Sequence, residues 1–211
     1  MLRYEMFKRL NTGGTSLASQ EIRNCTARML GEIGIEFYDF LQFCAHTPSF
    51  QECTEPLSQS DKDAMASEEL VLRFFAVKNA RDLFRGSVRD WLDDYMESVL
   101  LRKRNFPFPD EEADFRKVFD FLAGVMGTGA FVRYRANVPI GALAPAYFEA
   151  VTIGTLQTLE RARHVDPEKI RGAIIKCVQS EQFRSFTGPG ANSREKLEGR
   201  IETISSALRA L

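Results

Sequence analysis

The sequence predicts an all-α fold, an irregular bundle of about eight helices with at most one short strand. Three observations lead there. Apolar residues recur at steps of three and four along most of the chain, which is the period of one helix face. Cap and proline signals stand at the starts of several of these stretches. Only residues 131–135 (FVRYR) alternate apolar and basic as a strand would, and one strand makes no sheet.

The N-terminal third carries helical patterns near 2–10, 18–30, 34–45 and 61–78. Residues 47–60 (TPSFQECTEPLSQS), with Pro48 and Pro56, are expected to be a polar loop. The clearest helix is 87–104. Val88, Trp91, Leu92, Tyr95, Met96, Val99 and Leu100 make one continuous face, and Arg89, Asp90, Asp93, Asp94 and Glu97 take the other. Ser87 can cap its start, and Arg102, Lys103 and Arg104 suit the negative end of its dipole. Phe106-Pro107-Phe108-Pro109 breaks it. Asp110, Glu111 and Glu112 open the next helix, whose face is Phe115, Val118, Phe119, Leu122 and Met126. Pro145 begins a helical segment with Tyr147, Phe148, Val151 and Leu159. Asp166-Pro167-Glu168 combines a cap, a proline at the first helical position and an acid in the first turn. The last helix begins after Asn192, with Glu195 completing a capping-box pattern, and its stripe is Leu197, Ile201, Ile204 and Leu208.

A chain of 211 residues buries enough surface to fold without disulfides or metals. Its 17 Phe predict a core of aromatic side chains. The net charge of −1 is unevenly spread. Residues 1–126 carry 16 Lys+Arg against 21 Asp+Glu, and residues 127–211 carry 12 against 8. The basic second part could face an anionic partner such as DNA, although a charge run is more often a solvated surface. Residues 1–10 carry charges throughout, and no run of 18 apolar residues appears. With no C-x-x-C pair among Cys25, Cys44, Cys53 and Cys177, a cytoplasmic protein with reduced thiols, away from membranes, is expected.

Residues 7–24 read FKRLNTGGTSLASQEIRN. This stretch closely resembles the GmrSD-type family of type IV restriction proteins and related anti-phage factors. In that family a ParB/sulfiredoxin-like portion binds and hydrolyses nucleoside triphosphate through a D-G-Q-Q-R motif. An F-x-x-x-N motif closes that portion, a helical region comes next, and many members end in an HNH nuclease. Phe7 to Asn11 match F-x-x-x-N, and Thr12-Gly13-Gly14-Thr15 and Leu17 through Asn24 match the family's residues directly after that motif. The helix order and the FTGPGANS stretch at 186–193 look similar with weaker motifs. The resemblance implies that 1–24 is the end of the ParB-like portion and 25–211 the helical region, together one helical domain over 1–211. It also places Phe7, Asn11, Gly13 and Gly14 at the edge of a nucleotide site.

The departures set the functional expectation. No Asp here is followed by Gly, so D-G-Q-Q-R is absent, and the portion that would carry it is expected to be missing before Met1. His164-Val165-Asp166-Pro167 resembles only the start of an HNH motif, and no later His occurs. One His cannot be both general base and metal ligand. The expected function is therefore that of a truncated or split defence protein. Its helical part would pack on or complete a nucleotide-binding domain involved in restriction of modified or foreign DNA. The expected partner is a chain carrying the ParB-like segment, or a second copy of this one. This chain alone is expected to bind no cofactor; nucleoside triphosphate and a divalent metal would come only with that segment. The alternatives are a catalytically inert helical interaction module and a weak, non-specific nucleic-acid-binding module.

Four constellations bear on chemistry. The Gly-Gly turn at 12–15 precedes a helix, where free N–H groups can hold a phosphate, though Gly-rich turns are common and a turn with positive φ at Gly13 or Gly14 is the reading the residues favour. Residues 187–193 (TGPGANS) enter a helix without the lysine of a P-loop, which favours a plain capped turn. Cys44-x-His46-x₆-Cys53 fits no common zinc spacing, so no metal is expected there. Arg133, Arg135, Arg161, Arg163 and Arg171, with Lys169, Arg184 and Tyr134 nearby in sequence, are the candidate nucleic-acid contacts.

Overall fold

The computed structural model describes residues 17–188 and 190–211. Among these the chain forms α1 (Ser19–Met29), α2 (Glu32–Ala45), α3 (Pro48–Thr54), α4 (Gln59–Asp63), α5 (Ala66–Ala80) and α6 (Val88–Leu100). Next come α7 (Phe108–Met126), the strands β1 (Arg133–Arg135) and β2 (Val138–Ile140), and α8 (Pro145–Leu156). α9 (Leu159–Ala162), α10 (Pro167–Gln179), α11 (Glu181–Thr187) and α12 (Arg194–Arg209) complete the fold, which is all-α.

Two helices form the centre. Leu70 through Val77 of α5 are all buried, as are Tyr147 through Thr155 of α8. A helix that is apolar on every side has no solvent face and must be surrounded. α5 and α8 pack on each other, and α12 closes over α8. The α8–α12 contact is close because Gly154 faces Ile204: a Cβ at 154 would stand 2.7 Å from the Ile204 side chain.

The aromatic core expected from composition is present. Phe50, Phe74, Phe75, Phe115 and Phe119 join α3, α5 and α7 through ring contacts such as Phe115–Phe119 at 4.4 Å and Phe74–Phe115 at 5.4 Å. Phe119, Phe131 and Phe148 carry the cluster on to α8. Edge-on and offset ring pairs of this kind add to simple area burial.

Several elements differ from the sequence pattern. The expected loop at 47–60 contains α3 and α4. Pro48 occupies the first turn of α3, and Phe50 and Cys53, three apart, are fully buried against the aromatic core. The pattern near 61–78 is two helices, because Met65 takes a left-handed conformation with φ 60° between α4 and α5. The strand at 131–135 has a partner. β1 pairs antiparallel with β2, Tyr134 facing Pro139, around a turn at Ala136 with φ 51°. Tyr134 turns inward and donates a hydrogen bond to the Gly129 carbonyl at 2.9 Å. α7 begins at Phe108, so Pro109 and Glu111 belong to its first turn. The last helix is capped by Ser193, whose hydroxyl accepts from the Lys196 amide, rather than by Asn192. α11 has no counterpart in the sequence pattern and starts at Ser180, which caps it with its side chain.

Candidate functional site

The centre of the bundle contains charge. Arg73 interrupts the apolar run of α5, and Glu149 interrupts that of α8. Both are buried, as are Arg23 on α1 and Arg200 on α12. A buried charge persists only when paired and hydrogen-bonded. Here six residues alternate in sign. Asp93 accepts from Arg23 Nε at 2.8 Å, and Arg23 Nη1 donates to Glu69 at 3.0 Å. Glu69 also accepts from Arg73 at 3.1 Å, and Arg73 donates to one Glu149 oxygen at 2.9 Å. The other Glu149 oxygen accepts from Arg200. Three guanidinium groups and three carboxylates balance, so the network as a whole is neutral, with Glu69 its most exposed member.

The ends of this network tie down particular segments. Arg23 makes two further bonds, to Gln20 at 3.0 Å and to the Arg89 carbonyl at 3.2 Å. α1 is thereby fastened to α5 and to the first turn of α6. At the opposite end Arg200 Nη1 donates to the Ala191 carbonyl at 2.9 Å and the Phe186 carbonyl at 3.3 Å. A buried arginine thus holds the glycine-rich loop in place. The same loop touches the turn before α6, since a Cβ on Gly86 would lie 3.1 Å from the Asn192 carbonyl. Arg23 on α1 and the loop residues Phe186 and Ala191 are therefore tied to the same buried network.

Phe7, Asn11, Gly13 and Gly14 lie outside the described residues. Of the basic candidates, Arg133 and Arg135 are exposed on β1, on the side opposite the buried Tyr134. Arg133 and Arg184 come near enough to the Tyr147 hydroxyl to lower its pKa, against the stronger upward push of burial. Arg171 is half-buried, acts likewise on Tyr134, and points toward the Val125 carbonyl at 3.5 Å. Arg161 and Arg163 are exposed at the end of α9, and Arg163 pairs with Glu160 at 3.5 Å. Arg133 and Arg184 are the pair brought to one group; Arg163 is partly neutralised locally.

Cys44, Cys53 and Cys177 are buried, and Cys25 is half-buried. Burial pushes the Cys44 and Cys53 thiols up to about 12 and Cys177 to about 11. Among the described residues no group of three or more His, Cys, Asp or Glu side chains is arranged to hold a metal ion. None of the described helices is long and apolar enough to cross a membrane.

Periodicity does not single out the network residues as a site. Their signal is a lone charge inside an apolar helical run, as in LVLRFFAV at 70–77 and AYFEAVTIG at 146–154. The fold and this site define a phenylalanine-rich all-α bundle with an alternating ion network at its centre. No family model, curated protein or solved structure matches the chain.

Proposed function

We propose that this chain is the helical part of a GmrSD-type defence protein. In this reading it packs on, and partly completes, a nucleotide-binding domain involved in restriction of modified or foreign DNA. Phe7, Asn11, Gly13 and Gly14 form the edge of the nucleotide site. The Asn11 amide, both donor and acceptor, suits a base, a sugar or a bound water. The D-G-Q-Q-R segment supplies the catalytic acid and phosphate contacts and brings the nucleoside triphosphate and divalent metal. Four free cysteines fit a cytoplasmic setting that keeps thiols reduced.

The observation that supports this most is Arg23. It lies inside the stretch that resembles the family, is 1% exposed, and fastens α1 to Glu69, Asp93 and the Arg89 carbonyl. A helix so fixed gives the residues before it a rigid base, which a site on that side would need.

The test is reconstitution. A chain carrying the D-G-Q-Q-R portion is mixed with this one, and nucleotide affinity is measured by calorimetry. Affinity is expected from the pair and from neither chain alone. Asn11→Ala is expected to abolish it with a stability cost of about 1 kcal/mol or less on the scale of helix caps. Equal affinity with and without Asn11→Ala would overturn the assignment of that residue. No affinity from the pair would overturn the reading.

A second reading, weak nucleic-acid binding, is favoured by one observation: Arg133 and Arg135 are exposed on the same side of β1. It would be sequence-independent and driven by phosphate charge.

A further inference from the structure

We propose that a pocket between the end of α2 and the start of α5 binds a small organic cation, an ammonium or guanidinium group, through the Glu68 carboxylate. The contrast with the other buried acids carries the argument. Glu111 pairs with Lys78 at 2.8 Å, Glu149 with Arg73 and Arg200, and Asp93 with Arg23. Glu68 is 7% exposed and forms no ion pair among the described residues. Its Oε1 accepts a hydrogen bond from the neutral Gln42 amide at 2.6 Å. Among the described residues its Oε2 accepts none, yet is not sealed from solvent. A buried carboxylate without a cation is costly, and this one opens onto a cavity.

That cavity has a volume of about 330 Å³ and is lined by Glu68 with His46, Gln51, Thr54, Lys62 and Ser67. The size is at the low end of small-molecule sites. Its polar groups are rich in acceptors. His46 Nδ1 lies 2.6 Å from the Gln42 carbonyl, so as a donor there it leaves Nε2 free to accept. The Thr54 hydroxyl donates to the Phe50 carbonyl at 2.8 Å and keeps its lone pairs. A ligand rich in donors and positively charged complements such a lining.

The backbone adds to this. Glu68 sits in the first turn of α5, beside the unpaired backbone N–H groups of the helix start. α2 ends at Ala45 and His46 on the same pocket, and a helix C-terminus favours a positive charge. The left-handed Met65 sets the sharp entry into α5 that brings Ser67 and Glu68 to the lining. Lys62 is the competing cation on the rim, but its Nζ contacts the Glu55 carbonyl at 3.4 Å instead.

The probe is methylguanidinium, with uncharged N-methylurea as control, titrated into ¹⁵N-labelled protein at constant ionic strength. Methylguanidinium is expected to shift the amides of His46, Gln51 and Ser67 saturably, and N-methylurea is not. Glu68→Gln keeps an oxygen for the Gln42 amide and should stay folded, with binding at least tenfold weaker. Lys62→Met should tighten binding several-fold. No saturable shift in the native chain would overturn the proposal, as would equal shifts with N-methylurea or binding unchanged in Glu68→Gln. So would an equal fall in melting temperature in Lys62→Met and Glu68→Gln, which would make Lys62 the carboxylate's own partner.

Discussion

Glu149 on α8 accepts a hydrogen bond from Arg200 on α12, and the side chains of both are 3% exposed. The pair joins the two helices in closest contact and also decides where the glycine-rich loop rests, through Arg200. Removing Glu149 strands Arg200 in the core, and removing Arg200 leaves Glu149 with Arg73 alone. Glu149→Leu or Arg200→Met is expected to cost about 3–5 kcal/mol. The double variant Glu149→Leu with Arg200→Met should cost less than the sum of its single changes, because the Arg200 charge leaves with its partner and Arg73 keeps Glu69. Urea unfolding of the four proteins measures this. Additive costs, or single costs well below 1 kcal/mol, would show that the pair is not what holds α12.

Two glycines in helices should respond oppositely to alanine. At Gly154 a Cβ meets Ile204 at 2.7 Å, so Gly154→Ala should destabilise by about 1–3 kcal/mol through overpacking. At Gly172 on α10 nothing lies within 4 Å, so Gly172→Ala should stabilise by up to about 1 kcal/mol through helix propensity. Melting temperatures that move in the same direction would contradict the α8–α12 packing.

The buried thiols predict an alkaline limb of stability. Cys44 and Cys53 ionise near 12 in the folded state against about 9 when unfolded. Between those values the unfolded chain releases protons that the folded chain keeps, so stability falls as pH rises above about 9. Each thiol contributes at most about 1.4 kcal/mol per pH unit in that window. Replacing both with Ala or Ser should flatten the limb, as measured by denaturant midpoints from pH 8 to 11. In the native protein at pH 8, half-buried Cys25 should be alkylated before Cys44 or Cys53. Prompt labelling of the latter two would count against their burial.

Any affinity for duplex DNA should be weak and fall steeply with salt. Charge reversal at Arg133 and Arg135 should lower the salt slope, and reversal at Arg163 should do less because Glu160 already neutralises it in part. Filter binding across a salt series measures both. Tight binding indifferent to salt, or unchanged by these reversals, would remove the second reading.

The sequence is most informative where one face of a helix meets water. The start and face of α6 are legible, because its apolar and acidic residues separate cleanly and Ser87 does accept from the Asp90 amide at 3.3 Å; its end is not, since the helix stops at Leu100 and Arg102 takes φ 54°. The start of α10 is equally clear, with Asp166 accepting from the Glu168 amide at 3.0 Å. Short elements escape detection. α3 buries only Phe50, Cys53 and Thr54, too few for a period to show, and polar neighbours hide it. β2 is exposed at all three positions, so it has no alternation to detect; β1 supplies its pairing.

By itself the sequence determined the all-α class, the aromatic character of the core and several helix starts, since these depend on spacing, composition and caps within a few residues. Tertiary structure decided the rest. Arg23, Arg73, Glu149 and Arg200 are scattered from α1 to α12, and only packing brings each within hydrogen-bond distance of an opposite charge. It also left Glu68 without one. Whether a charged residue faces solvent, finds a buried partner or opens onto a cavity depends on elements far away in the chain, and no local pattern encodes that distance.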